Sequence, residues 1–174
     1  MENKAYENLL TRRSCRTFDS QRPVDEDTVE SIMKAGTYAP TGGNRQSCRI
    51  VWIRAEEDRD LLRILNQKYG KPGADPFYGA PTLLLVLADA EDPNCRYNGA
   101  LVMGNLMNAA HALGVDSIWI NRAYQTFEDP QGKKLLKKWG IEGHWEGVGY
   151  CPLGYATRPL PDAAPRKPGY IVRT

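Results

Sequence analysis

The run Pro81-Thr82-Leu83-Leu84-Leu85-Val86-Leu87-Ala88 constrains this chain more than any other. It is short, nearly all apolar, and bounded by Pro81 and Asp89. With no polar face to turn to water, it predicts a central strand buried on both sides. A second layer must therefore cover each face of the sheet.

The rest of the chain supplies those layers. Tyr6, Leu9 and Leu10 give residues 2–11 a helical stripe, and Val29, Ile32 and Met33 do the same for 26–36. Asp25 stands at the N-cap of this second helix, and Val24 and Val29 occupy the staple positions around it. Arg59–Gln67 reads as a helix through Leu61, Leu62 and Leu65. Asn98–Leu113 is the most apolar helix, stopped by Gly114, and its Ala100, Gly104 and Ala109 let another helix approach closely. Pro130–Trp139 is a basic amphipathic helix ending at Gly140. Further strands are expected at Ser47–Ile53, Val115–Ile120 and Trp145–Leu153. Prolines 159, 161, 165 and 168 keep Gly154–Pro168 from forming a regular helix, so it reads as an extended arm leading to Tyr170-Ile171-Val172. Such an arm has a purpose if it docks on a partner subunit. The expected architecture is α+β: a mixed sheet of four to five strands with helices on both sides, one domain over 1–174, and the arm at 154–174.

Composition narrows the function. A net charge of +2, with both signs interspersed, gives no basic stripe for nucleic acid and no pull toward a membrane surface. Cys15, Cys48, Cys95 and Cys151 are scattered without a C-x-x-C pair, and His111 and His144 lack metal-ligand spacing. No metal site is expected. The polar N-terminus lacks the apolar segment of a signal peptide, so the expected location is the reducing cytoplasm.

Two segments offer binding chemistry. Arg12-Arg13-Ser14-Cys15-Arg16 gathers three guanidiniums and a hydroxyl, a set able to hold a phosphate through charge-assisted bonds. The same arginines also suit the C-terminal end of a helix dipole. Cys15 within them is either a thiol activated by the arginines or a small residue tolerated there. Pro40-Thr41-Gly42-Gly43-Asn44-Arg45-Gln46 combines two glycines with side-chain amides, which fits close approach to a planar ligand and equally fits a plain helix-to-strand loop. It is not a Rossmann fingerprint, and no Walker lysine, nucleophile elbow or H-E-x-x-H occurs.

The order of these segments is more specific than either alone. R-R-S-x-R-x-F is followed by a helix, then P-x-x-x-N-x-Q, a buried strand after Ala80-Pro81, and a helix reading G-N-L-x-x-A-A-x-A-L-G. A strand with Trp119, the pair Gly149-Tyr150 and a late Pro-Arg-Lys complete the pattern. From residue 2 to about residue 170 the chain resembles the short FMN-dependent nitroreductases.

That resemblance implies a nitroreductase-like fold and a homodimer with FMN at the subunit interface. It implies an oxidoreductase that moves two electrons from NADH or NADPH, through flavin N5, to a small acceptor such as a nitro compound or quinone. Arg12 and Ser14, with Arg13 beside them, would hold the FMN phosphate, joined by Arg166 from the arm. Arg16 would lie by the pyrimidine edge. Pro40, Thr41, Gly42 and Asn44 of the other subunit would flank the ring, and Asn121 and Arg122 would approach it near N5, Arg122 through its backbone N–H. No side chain is assigned as a catalytic acid, base or nucleophile. Trp119 is read as a core residue or a flavin contact, and His111 as a core or interface residue. Three places depart from the family pattern: Ser47 replaces a proline, Asn98 an often acidic residue, and Asn121-Arg122 an acidic residue followed by glycine. A specialised reductase acting on an enone, quinone or halogenated aromatic, a flavin store or redox sensor with little turnover, and a structural protein with no cofactor are the other readings.

Overall fold

The computed structural model describes residues 3–174; the expected start of the first helix at residue 2 lies outside them. Helix α1 (Lys4–Thr11) is capped by Asn3, whose side chain accepts from Tyr6 N at 3.1 Å. Helix α2 (Glu26–Thr37) is capped by Asp25 as expected, with Thr28 N at 2.9 Å from its carboxylate. Val24 and Val29 are both buried in one cluster beneath it, as a hydrophobic staple requires. Strand β1 (Cys48–Trp52), helix α3 (Glu56–Lys68), strand β2 (Thr82–Asp89) and helix α4 (Cys95–Ala112) follow. Strand β3 is only Asp116–Ser117, and then come α5 (Ala123–Glu128), α6 (Pro130–Lys138) and β4 (Trp145–Gly154).

The strands form a four-stranded sheet in the order β1-β2-β4-β3, each neighbouring pair antiparallel. Parallel pairing among the described residues is limited to an isolated bridge, Ser14 to Ser117. Strand β2 is central and buried along almost its whole length, as its composition demands. Its alternate side chains feed two cores. Leu84 and Val86, with Cys151 and Leu153 of β4, pack against α2 and α4. Leu83, Leu85 and Leu87, with Tyr150, pack against Leu62 of α3, Phe127 of α5 and Leu135 of α6. Each fully buried leucine contributes about 1.5–3 kcal/mol, so this strand secures both layers. Gly36 brings α2 against α4, since a Cβ there would stand 2.6 Å from Leu106 Cδ2. The small stripe expected on α4 behaves differently: Gly104 faces open space.

Helices α3 and α4 each begin three residues earlier than expected, at Glu56 and Cys95, and two further elements depart from expectation. The strand expected over Val115–Ile120 is broken after Ser117. Ser117 pairs with Leu153, and Ile120 with Tyr150. In that register Ile118 stands opposite Pro152, which has no N–H to complete the ladder. Helix α5, Ala123–Glu128, falls where no helix was expected. It is short, and no side chain caps it. Among the described residues, no helix is long and apolar enough to cross a membrane.

Candidate functional site

Helix α1 ends at Thr11, and Arg12 turns the chain into an extended path. Ser14 bridges Ser117, Cys15 N bonds Ser117 O at 3.0 Å, and Phe18 N bonds Tyr78 O at 3.2 Å. Arg12 and Arg13 are thereby half-buried against the end of β3. Arg13 Nη1 donates to Leu10 O at 2.8 Å and Arg12 O at 2.7 Å, so part of this residue does cap the helix. The rest of the cluster is unsatisfied. Arg12 Nη1 and Arg13 Nε are buried without a hydrogen-bond partner, and so is Ser117 Oγ nearby. Among the described residues, no carboxylate pairs with Arg12, Arg13 or Arg16. A buried polar group left unpaired costs about 1–3 kcal/mol, more when it is charged. A phosphate fits this corner, because it brings several anionic acceptors to donors that lack them.

Cys15 is fully buried, and its thiol donates to Thr17 O at 3.4 Å. Burial pushes its pKa up despite the neighbouring guanidiniums, so the activated-thiol reading fails. His111 Nε2 lies 2.9 Å from Thr11 Oγ1 and ties α4 to α1.

Asn121 and Arg122 follow β3 beyond Ile120, about 13 Å along the strand from the Ser14–Ser117 bridge. Asn66 Nδ2, buried at the end of α3, donates to Asn121 O at 2.8 Å. Arg122 takes φ 77°, ψ 8°, the left-handed conformation in which glycine is at ease. Its guanidinium bonds Tyr69 O. The Arg122 backbone N–H donates to Asn121 Oδ1 at 2.8 Å. Trp119 is half-buried against the α2–α4 core, and its Nε1 occupies the space a Cβ on Gly149 would need.

The second candidate segment lies elsewhere. A short 3-10 turn, Gly42–Asn44, leads into β1. Gly43 (φ 61°), Asn44 (φ 54°) and Gln46 (φ 52°) are all left-handed. Gly42 N donates to Asn98 Oδ1 at 3.0 Å, and a Cβ on Gly42 would stand 2.7 Å from Asn94 Nδ2. Thr41 Oγ1 accepts from Gln46 N at 3.0 Å, and Pro40 is exposed at the loop entrance.

The sheet register sets the distance between the two segments. The loop enters β1 at Cys48, opposite Ala88 near the end of β2. The arginine corner meets β3 at Ser117, opposite Leu153, which is itself opposite Thr82 at the start of β2. The two lie at diagonal corners, roughly 20 Å apart along the strands and about 14 Å across them. One chain therefore keeps Arg12, Arg13, Ser14 and Arg16 apart from Pro40, Thr41, Gly42 and Asn44, while Asn121 and Arg122 lie between the two along the strand direction, just past Ile120, which pairs with Tyr150 opposite Leu85 of β2.

Arg166 is exposed on the arm and bonds only the nearby Ala164 O among the described residues. A different cation of the arm lies closer to the arginine corner. Thr157 N bonds Thr17 O at 3.0 Å, and Ala156 bridges Phe18, which sets Arg158 beside the 16–18 segment. Sequence reading passed over Arg158, and also Asn66 and Asp92. Asp92-Pro93 is a helix-start signal; it went unread because the helix was expected to begin later, at Asn98.

A family model for the nitroreductase family matches residues 9–155. A protein of Archaeoglobus fulgidus provisionally named NADH dehydrogenase/NAD(P)H nitroreductase is 29% identical over 117 residues, 64% of this chain. An NADH dehydrogenase of Thermus thermophilus is 28% identical over 149 residues, 84% of this chain. The matches span 64% and 62% of these relatives' own lengths. A nitroreductase of Bacteroides fragilis, solved with bound FMN, superposes with a TM-score of 0.88 at 25% identity, covering 99% of this chain and 100% of the other. An FMN-bound nitroreductase of Desulfitobacterium hafniense has the same TM-score at 22% identity, with full coverage of both chains, a likeness of fold alone.

Proposed function

Because the chain belongs to the nitroreductase family, we propose that it is a homodimeric, FMN-dependent oxidoreductase of the cytoplasm that takes electrons from NADH or NADPH. The acceptor is a small molecule, a nitro compound, a quinone or a related compound. One observation carries this reading: buried, unpaired guanidinium donors occupy one corner of the sheet, and the glycine–amide loop occupies the diagonal one. A second copy, set against the first, is what unites the two halves.

In this arrangement Arg12, Arg13 and Ser14 hold the FMN phosphate, Arg12 and Arg13 supplying the unpaired guanidinium donors found buried there. Arg16, exposed and free of carboxylates among the described residues, sets a positive charge by the pyrimidine edge, where it favours the negatively charged reduced state. Pro40, Thr41, Gly42 and Asn44 of the second copy flank the ring. Asn121 and Arg122 line its reactive side, and Arg166 reaches the phosphate once the arm, residues 154–174, docks on the partner subunit. When bound, FMN supplies the two-electron chemistry, and the protein supplies position and electrostatics.

The surface supports pairing of two chains. Tyr6, Leu9 and Leu10 of α1 and Tyr97, Leu101 and Leu113 on and after α4 are all exposed. So are Tyr170, Ile171 and Val172 at the end of the arm. Exposed apolar groups in such number mark an interaction surface.

A second reading, a flavin store or redox sensor with little turnover, draws on the Arg122 N–H already engaged by Asn121 Oδ1. An absorption spectrum of the purified protein, before and after anaerobic NADH or NADPH, separates the two. The oxidoreductase reading predicts a flavin spectrum that bleaches within seconds. A flavin spectrum that persists supports the store or sensor, and a colourless protein that does not take up FMN contradicts both.

A further inference from the structure

Two of the departures from the family pattern, Ser47 and Asn98, meet at one buried carboxylate. Asp92 is 6% exposed and Asn98 is 2% exposed. Asp92 Oδ2 accepts from Ser47 Oγ at 2.5 Å and from Asn98 Nδ2 at 3.0 Å. Asp92 Oδ1 accepts from Asn94 N at 2.9 Å and from Arg45 Nη1 at 3.2 Å. Asn98 then passes the restraint on, because its Oδ1 accepts from Gly42 N at 3.0 Å while its Nδ2 also reaches Ser47 Oγ at 3.3 Å. The cluster thus grips the glycine–amide loop at Gly42, Arg45 and Ser47, on both sides of its left-handed residues Gly43 and Asn44.

We infer that Asp92 is the positioning residue of the flavin-flanking loop: through Asn98, Ser47 and Arg45 it fixes Gly42–Asn44 in the shape that the cofactor bound by the partner subunit meets. This rests on the reading of the loop as part of an FMN site. Asp92 never touches the cofactor in this account. It acts by holding a loop whose backbone, with left-handed φ at Gly43, Asn44 and Gln46, would otherwise relax.

The charge logic explains both departures. Four donors converge on the two oxygens of Asp92, so the cluster needs a carboxylate there. With that carboxylate in place, a second one at 98 would face it, and the amide of Asn98 is the residue that can accept from Gly42 while donating to Asp92. Ser47 adds a donor that a proline at the same position lacks.

Charge transposition tests this. Asp92→Asn keeps the size of the side chain but turns one acceptor into a donor facing other donors. Asn98→Asp sets two carboxylates against each other. Each single variant is expected to raise the Kd for FMN at least tenfold and to shift the midpoint potential of the bound flavin. The double variant D92N/N98D carries the carboxylate at 98 and is expected to recover most of the affinity and the wild-type potential. Ser47→Ala, a milder lesion, gives the same readout should the single variants fail to fold, with a smaller rise in Kd. Variants that melt earlier yet bind FMN with unchanged Kd and potential would overturn the inference, since Asp92 would then be only a structural residue. Wild-type protein that binds no FMN would overturn the site reading on which it stands, a result visible before any variant is made.

Discussion

At the scale of single residues, the chain holds polar groups in arrangements that a free-standing protein has little reason to keep. Arg12 Nη1 and Arg13 Nε are buried and unpaired. Arg122 occupies a left-handed conformation that costs a side-chain-bearing residue about 1–2 kcal/mol. The guanidinium bond to Tyr69 O and the hold of Asn66 on Asn121 O offset that strain. Arg122→Gly is therefore expected to leave stability within about 1 kcal/mol of wild type, losing an anchor but relieving the backbone. Arg122→Val, β-branched in a left-handed position, should destabilise by more than about 1 kcal/mol. Chemical denaturation of both variants checks the contrast, and equal losses would show that the backbone at 122 is unstrained. The arginine cluster was legible in the sequence because three guanidiniums within five residues are conspicuous by type alone. The αL conformation of Arg122 and the role of Asp92 were not, since neither residue type announces it. Arg158 was hidden for another reason: only the pairing of the arm's start with the 16–19 segment brings it near.

At the scale of elements, two buried carboxylates hold the junction of α3, α5 and α6: Asp58 of α3, which accepts from Lys138 Nζ at 2.6 Å and Trp139 Nε1 at 2.8 Å, and Asp129. Asp129 caps α6 by accepting from Gln131 N at 2.9 Å, and it also accepts from Lys68 Nζ at 2.7 Å and Tyr69 OH at 3.0 Å. The bond from the Lys68 ammonium, followed by that from Gln131 N, lowers its pKa from 3.8 to about 2. A depressed carboxyl pKa contributes stability that is fully present above the unfolded value and lost as pH falls through the folded one. The protein should therefore lose part of its stability between about pH 4 and pH 2 through this group. Melting temperature against pH, wild type beside Asp129→Asn, checks it: the variant should melt lower near neutrality, and the gap should close toward pH 2. A gap that stays constant with pH would contradict the assignment. Helices α2 and α6 were readable because apolar stripe and side-chain cap agree, and α3 and α4 through their apolar residues alone, which is why their uncapped starts at Glu56 and Cys95 were placed three residues late. Helix α5 escaped because Ala123-Tyr124-Gln125-Thr126-Phe127-Glu128 is too short for a helical stripe and has no side-chain cap. The strand expected to reach Ile120 was broken by Pro152 on the facing strand, a long-range effect that local sequence does not carry.

At the scale of the whole molecule, the buried character of β2 was enough to place a strand at the centre of the sheet with helices on both faces. The α+β architecture follows from that strand and the amphipathic helices around it. Residue patterning alone left open the relation between the two candidate segments, which only the family resemblance assigned to different subunits, because the strand order β1-β2-β4-β3 decides how far apart they lie in one chain. That order sends the arginine corner and the glycine–amide loop to diagonal corners, and the exposed apolar residues of α1 and α4 are the surface proposed to meet a second copy. The central claim is a flavin site divided between two chains, and complementation between two damaged chains tests it most directly. Arg12→Ala removes a phosphate donor at one corner, and Gly42→Val displaces the loop at the other, since even a Cβ there meets Asn94. Each variant, purified alone, should bind FMN poorly. Co-expressed with different affinity tags and purified as the heterodimer, the pair should carry one intact site and bind one FMN per dimer. A heterodimer that binds none would mean that both lesions fall in the same site within one chain, which would contradict the account.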